Sequence, residues 1–271
     1  MRQRTRAIAR AVRPLARGNA RAGRGLTIIG WHRVDGRESV GLSTGVDDFR
    51  RHLDTLETWG AAVLPLDAAV AALRAGSLPP RAVALTFDDG YASVVETAWP
   101  LLRERGMPAT LFVVTASLVR EVQFAWDRAE RPHDRVRLAS ADEIAAAAAE
   151  GLDIGSHTVS HAWLPRLAGA DLDRELRESR AALGDLLGRP AASIAYPTGG
   201  WRRATRVRAA AAGYTVGVTV DRGLNTARTH PLSLRRTFAP ADPVDLRLVL
   251  DGAYAFLRPL DTLRNRRGPA R

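Results

Sequence analysis

An α/β fold built on a parallel sheet is predicted by two observations. Short apolar runs alternate with helix-period segments about seven times along the chain. The residues with chemical potential fall directly after several of those runs, as they do in parallel α/β folds. A third fact makes a packed core feasible: 271 residues, 46% hydrophobic and 25% charged, is ordinary globular usage.

The elements follow in order. Leu26–Trp31 reads as a strand. Val46, Phe49, Leu53, Leu56 and Trp59 recur at helical spacing, and Gly60 ends that helix. Ala61–Leu64 is a short strand, and Asp67–Arg74 a helix closed near Gly76. Ala82–Phe87 is a strand, with a helix from Ala92 to Arg105 after it and another strand at Ala109–Val114. Ser140 and Glu143 form a capping box for an alanine-rich helix ending at Glu150. Leu152–Gly155 is a strand, and Leu172, Leu176, Leu183 and Leu187 stripe a long helix that Gly188 terminates. Ser193–Tyr196 and Tyr214–Val220 are further strands with a helix between them. Asp242 and Pro243 open a last helix, taken to run to Leu257. Residues 118–138 fit no element and read as an insertion.

All 40 basic residues are arginine, and the formal charge is +11. Eight arginines and no acid fall in residues 1–24, and four arginines and no acid in 263–271. Residues 25–262 therefore hold 28 arginines against 29 acids, a balance of −1. The reading is one domain, 25–262, between a basic N-terminal arm (1–24) and a basic C-terminal tail (263–271). Such tails suit peripheral contact with an anionic membrane surface, or they reflect an arginine-rich composition. No basic stripe interleaved with aromatics marks the body for nucleic acid. Neither a signal peptide nor a transmembrane segment is read, so a cytoplasmic or membrane-peripheral location is expected. The absence of cysteine excludes disulfides, thiolate metal sites and cysteine nucleophiles.

Four clusters carry chemistry. Asp88-Asp89-Gly90 closes the Ala82–Phe87 strand; side chains of neighbours diverge, so one acid can bind a metal while the other handles a proton, unless the tripeptide is a solvated turn. His157 and His161 follow the next strand but one, and their i, i+4 spacing places both on one side of a helical turn. Together with Asp89 they make a three-ligand set that leaves positions open for water and substrate. Ala195-Tyr196-Pro197-Thr198-Gly199-Gly200 is either a tight turn or a source of backbone N–H groups for an oxyanion. His32 follows the first strand.

At these residues the chain resembles the NodB-homology polysaccharide deacetylases, carbohydrate esterase family 4. The match runs in order through Trp31-His32-Arg33-Val34, Thr86–Gly90, Pro108–Phe112, Gly155–His161, Tyr196-Pro197 and Leu234–Phe238. The resemblance implies a distorted (β/α) barrel of about seven parallel strands. It implies removal of N-acetyl groups from an N-acetylated glycan. By motif, Asp89, His157 and His161 hold one divalent metal, for which this donor set suits Zn2+ best, and Asp88 is the general base. The branch it is most similar to places its catalytic histidine near the N-terminus, which makes His32 the general acid. The backbone N–H of Thr198 would serve the oxyanion. A carboxylate near His32 would favour its cationic form.

Arg236, Trp163 and Tyr196 are weaker candidates for substrate contact or support of the site. Arg236 either positions Asp88 or makes a surface ion pair. Two departures are visible: Ala195 stands where many relatives carry arginine, and Thr198 where an aromatic residue is common. His230 is the reserve acid. His52 is read as solvated, and His133 lies in the insertion near Trp126 and Asp127. The alternatives are an amidase for a small or lipid-linked substrate and a catalytically silent glycan-binding protein.

Overall fold

The computed structural model of the protein describes residues 5, 7–11, 25–36, 39, 41–120, 122–131, 135–257 and 260–261. His133 and most of both basic tails lie outside the described residues.

The apolar runs become parallel strands because they are covered on both faces. β1 (Thr27–Trp31), β5 (Ala82–Phe87) and β6 (Ala109–Val113) are buried at every position, the pattern of strands under helices. Two short strands, β2 (Arg33–Val34) and β3 (Ser43–Thr44), pair with each other apart from the main sheet. β4 (Ala62–Val63) pairs with the start of β5. β7 (Asp153–Ser156), β8 (Ser193–Ala195), β9 (Val216–Val218) and β10 (Thr237–Phe238) complete the order β10-β1-β5-β6-β7-β8-β9. All pairs in it are parallel. Val218 also bridges Leu234, just upstream of β10, so the curled sheet nearly closes. This is the distorted barrel of about seven strands that the resemblance implies.

Local signals fix most helices. α1 (Val46–Trp59) ends at Gly60, whose φ of 73° is open to glycine at little cost. α2 (Leu66–Ala75) follows β4. Between β5 and β6 the sequence predicts one continuous helix, but the chain forms a π turn (Val94–Ala98) before α3 (Trp99–Glu104). Pro100 explains the difference: it offers no N–H to Glu96 and its ring crowds that carbonyl. The insertion is not featureless, since it contains α4 (Ala125–Glu130). α5 (Ala141–Ala149) starts with the expected Ser140–Glu143 capping box. α6 (Gly169–Leu187), α7 (Arg203–Ala211) and α8 (Pro243–Leu250) cover the rest of the sheet. α8 stops seven residues short of the expected end because Gly252, at φ 75°, turns the chain there. No helix among the described residues is long and apolar enough to cross a membrane.

His52 corrects the sequence reading: it is fully buried in α1, and its Nδ1 accepts a bond from Trp31 Nε1 at 3.3 Å. The helix buries a wider face than its leucine stripe suggests, because Trp31 wedges beside it. Burial pulls the imidazole down to about 4, against the opposing charge of Asp48. The unfolded chain then binds the proton more tightly. The stabilising effect of the neutral ring is complete above the unfolded value near 6.5 and is lost as pH falls toward 4. The difference is about 3 kcal/mol. Urea unfolding between pH 7 and pH 4 is expected to show this slope, and His52→Gln to flatten it.

Candidate active site

The C-terminal ends of β1, β5, β7 and β8 bring the candidate residues to one rim. Asp88 N–H still donates to Trp31 O at 3.0 Å, extending the β1–β5 ladder by one bond. Asp89 then takes φ 72° and breaks it. The two acids consequently face different partners. Five non-glycine residues among those described have positive φ, and four of them (Asp89, Thr158, His161, Thr198) lie in the loops of this rim. Backbone strain concentrated in this way is typical of functional sites.

Asp88 is held by Arg236. Both guanidinium nitrogens donate to its carboxylate at 2.6 Å, and both side chains are buried. Arg236 also donates to Thr219 O and Thr86 Oγ1, each at 3.3 Å, and lies over the rings of Phe238 and Phe112. Burial alone would raise Asp88; Arg236 and His157 outweigh it and hold the carboxyl below its usual range. The alternative of a surface ion pair for Arg236 is thereby excluded. Ala195 offers Asp88 no charge; Arg236, 148 residues from that acid in sequence, makes the contact.

Asp89 Oδ1 lies 3.4 Å from Nε2 of His157 and 3.4 Å from Nε2 of His161. One donor atom from each of the three falls within 4.8 Å of the others. Two zinc-length bonds of about 2.0–2.1 Å at a tetrahedral angle would set ligand atoms about 3.3–3.4 Å apart. Asp89 Oδ1 is buried without a hydrogen-bond partner among the described residues, an expensive condition that a cation would relieve. His157 Nδ1 donates to Ala195 O at 2.8 Å, which leaves the Nε2 lone pair facing Asp89. Burial brings His161 down to about 4, so its imidazole is neutral at physiological pH. His157, despite burial, is raised by the Asp88 and Asp89 charges. The residues present therefore fit a divalent metal.

The histidine pair does not sit on a helical turn. Residues 157–161 form a loop with left-handed Thr158 and His161, and Glu175 of α6 fastens it. The Glu175 carboxylate accepts from Val159 N (2.9 Å), Ser160 N (3.0 Å) and Ser160 Oγ (2.6 Å). An acid flanked by Leu172 and Leu176 on the apolar face of α6 was the available sign.

The insertion reaches the same rim. Trp126 packs on His161 with centroids 4.9 Å apart and stacks on Phe124 at 4.3 Å. Its Nε1 donates to Tyr91 Oη at 3.0 Å, and Tyr91 contacts both oxygens of Asp127 at 3.0 Å. Asp127 in turn pairs with the buried Arg33. A chain of bonds thus ties the wall beside His161 to β2 and to the residue after Gly90. Trp126 therefore walls the site beside His161, and Asp127 lies buried behind it, bonded to Tyr91 and Arg33.

His32 stacks on Phe238 with centroids 4.4 Å apart and is half-buried. Burial lowers it, and the Asp89 and Asp88 charges do not fully compensate. The expected carboxylate-stabilised cation is therefore corrected to an imidazole neutral at rest. Thr198 is the middle residue of a short 3₁₀ turn, Pro197–Gly199, where it takes φ 53°; its side chain is exposed and its hydroxyl donates to Pro197 O at 2.7 Å. The first N–H groups of such a turn lack an internal acceptor. Tyr196 is not placed to touch a substrate: it is fully buried and its hydroxyl donates to Leu232 O at 2.9 Å. Trp163 lies against Gly200, where any Cβ would collide with its ring. His230 is exposed, capping the turn Pro231–Ser233.

A curled (β/α) barrel whose rim gathers two carboxylates and two imidazoles has the make-up of a hydrolytic barrel enzyme. The chain belongs to the polysaccharide deacetylase family, whose model matches residues 75–217. YxkH of Bacillus subtilis (strain 168), which carries that family's name, is 26% identical over 199 residues, or 73% of this chain and 65% of YxkH. Less than two thirds of that relative's length is therefore represented. The fold is similar to that of Streptococcus pyogenes deacetylase PplD, solved in complex with acetate (TM-score 0.72, 24% identity, 83% of this chain and 98% of PplD). It is also similar to IcaB from Ammonifex degensii (TM-score 0.70, 24% identity, 85% of this chain and 97% of IcaB).

Proposed function

We propose that the protein is a metal-dependent hydrolase that removes N-acetyl groups from an N-acetylated polysaccharide or oligosaccharide, releasing acetate and a free amine. The observation that carries this reading is the divergence of two adjacent acids. Asp88 is locked by Arg236 as an anion, while Asp89 joins His157 and His161 in a ligand set. Acetate, present in the PplD complex, is the product this chemistry gives.

A divalent ion held by Asp89, His157 and His161, zinc being best suited, would polarise the acetyl carbonyl and make water more acidic. Asp88 accepts the proton as water attacks. Arg236 keeps that carboxylate oriented and lowers the cost of its charge in a buried place. The Thr198 N–H donates to the oxygen on which negative charge develops. Asp88, with its lowered pKa, gives the proton up readily. His32 receives it and passes it to the leaving nitrogen, whose bond to the acetyl carbon then breaks. Water is consumed: one of its protons leaves on the amine, and its oxygen and other proton leave with the acetyl group as acetic acid, which ionises to acetate.

Acetate release from N-acetylglucosamine oligomers, with and without a chelator, checks the reading. Release that stops with chelator and returns with zinc is expected. Equal release in both conditions would reject metal dependence.

A further inference from the structure

Beside the ligand set the rim turns basic, in a body that is otherwise balanced in charge. Residues 197–213 hold four arginines (202, 203, 206, 208) and no acid, and residues 162–170 hold Arg166 and no acid. Arg208 is paired with Asp173 at 2.5 Å. Arg166, Arg202, Arg203 and Arg206 make no ion pair with a carboxylate among the described residues. Arg166, Arg202 and Arg203 are exposed, and Arg206 is half-buried.

Two of these arginines lie over indoles on the loops beside the site, and Arg202 and Arg203 directly follow Trp201 in the chain. Trp163 follows His161 by two residues and packs on Gly200, so the histidine loop and the Thr198 loop meet there. Arg166 lies over the Trp163 ring at 5.1 Å, and Arg206 over the Trp201 ring at 5.6 Å. A guanidinium held over an indole is already partly ordered, so it loses less freedom on pairing with an oxyanion. Indole faces with adjacent guanidinium forks suit a sugar chain that carries carboxylate or phosphate groups.

We infer that the substrate is an anionic N-acetylated glycan, and that this rim binds an oxyanion on a sugar near the one being deacetylated. The inference rests on the deacetylase reading and adds the charge of the substrate to it. Three probes test it: neutral N-acetylglucosamine hexamer, hyaluronan hexasaccharide, which bears carboxylates, and a 6-phosphorylated N-acetylglucosamine hexamer. At low salt KM is expected to be about tenfold lower for at least one charged probe than for the neutral one, and the advantage to shrink as salt rises. The probe that gains shows whether carboxylate or phosphate is preferred. The triple variant Arg202→Gln, Arg203→Gln, Arg206→Gln should lose that advantage while turning over the neutral hexamer as before. No preference in the parent protein, or a preference that survives in the triple variant, overturns the inference. Calorimetric binding to the Asp88→Asn protein separates the two failures. Tighter binding of a charged probe without acetate release by the parent would uphold the rim and reject deacetylation; equal or absent binding of all three would reject the rim.

Discussion

Replacing Asp88 by Asn is expected to lower kcat by about 10²–10⁴-fold while zinc uptake persists. The amide is nearly isosteric and still accepts a bond from Arg236, but it cannot take a proton from water. Asp89→Asn should behave differently: it removes charge from the ligand set, so both metal and activity go. Steady-state acetate release paired with metal analysis of the purified variants separates the two roles. Full activity in Asp88→Asn would remove that residue from the proton path.

The second large effect concerns stability. Arg236→Met would leave the buried Asp88 carboxylate without its bidentate partner. Stranding one charge of a buried pair costs about 3–5 kcal/mol, visible as a fall in the urea midpoint at neutral pH. The carboxyl should respond by taking up a proton more readily, so the acid limb of the pH–rate profile moves upward. Adding Asp88→Asn to Arg236→Met removes the stranded charge. The double variant should therefore be more stable than the sum of the single losses indicates. Strict additivity would mean that the two side chains do not depend on each other.

The elements legible in the sequence were those governed by local rules. Ala82–Phe87 shows as an unbroken apolar run, Gly60 and Gly188 as left-handed caps, and Ser140 with Glu143 as a reciprocal cap, and each occurs where expected. The residues that build the rim also lay in readable places, directly after strands. What the sequence could not supply was the set of supporting contacts behind that rim. Arg33 meets Asp127 across 94 positions, and Tyr91 meets it across 36. No local pattern links them, and α4, six residues long, is too short to show a period. The burial of His52 escapes a sequence reading for a related reason: it depends on a distant neighbour, Trp31. The helical geometry assumed for His157 and His161 failed because two left-handed residues, fastened by Glu175, replace the turn.

The convergence of Asp89, His157 and His161 on one cation underlies the proposed chemistry, and zinc titration of the metal-free protein by calorimetry tests it most directly. One equivalent per chain is expected, with a loss of at least about 10-fold in affinity for His157→Ala and for His161→Ala. Absence of uptake by the folded parent, or one-equivalent uptake undiminished in both variants, would contradict it.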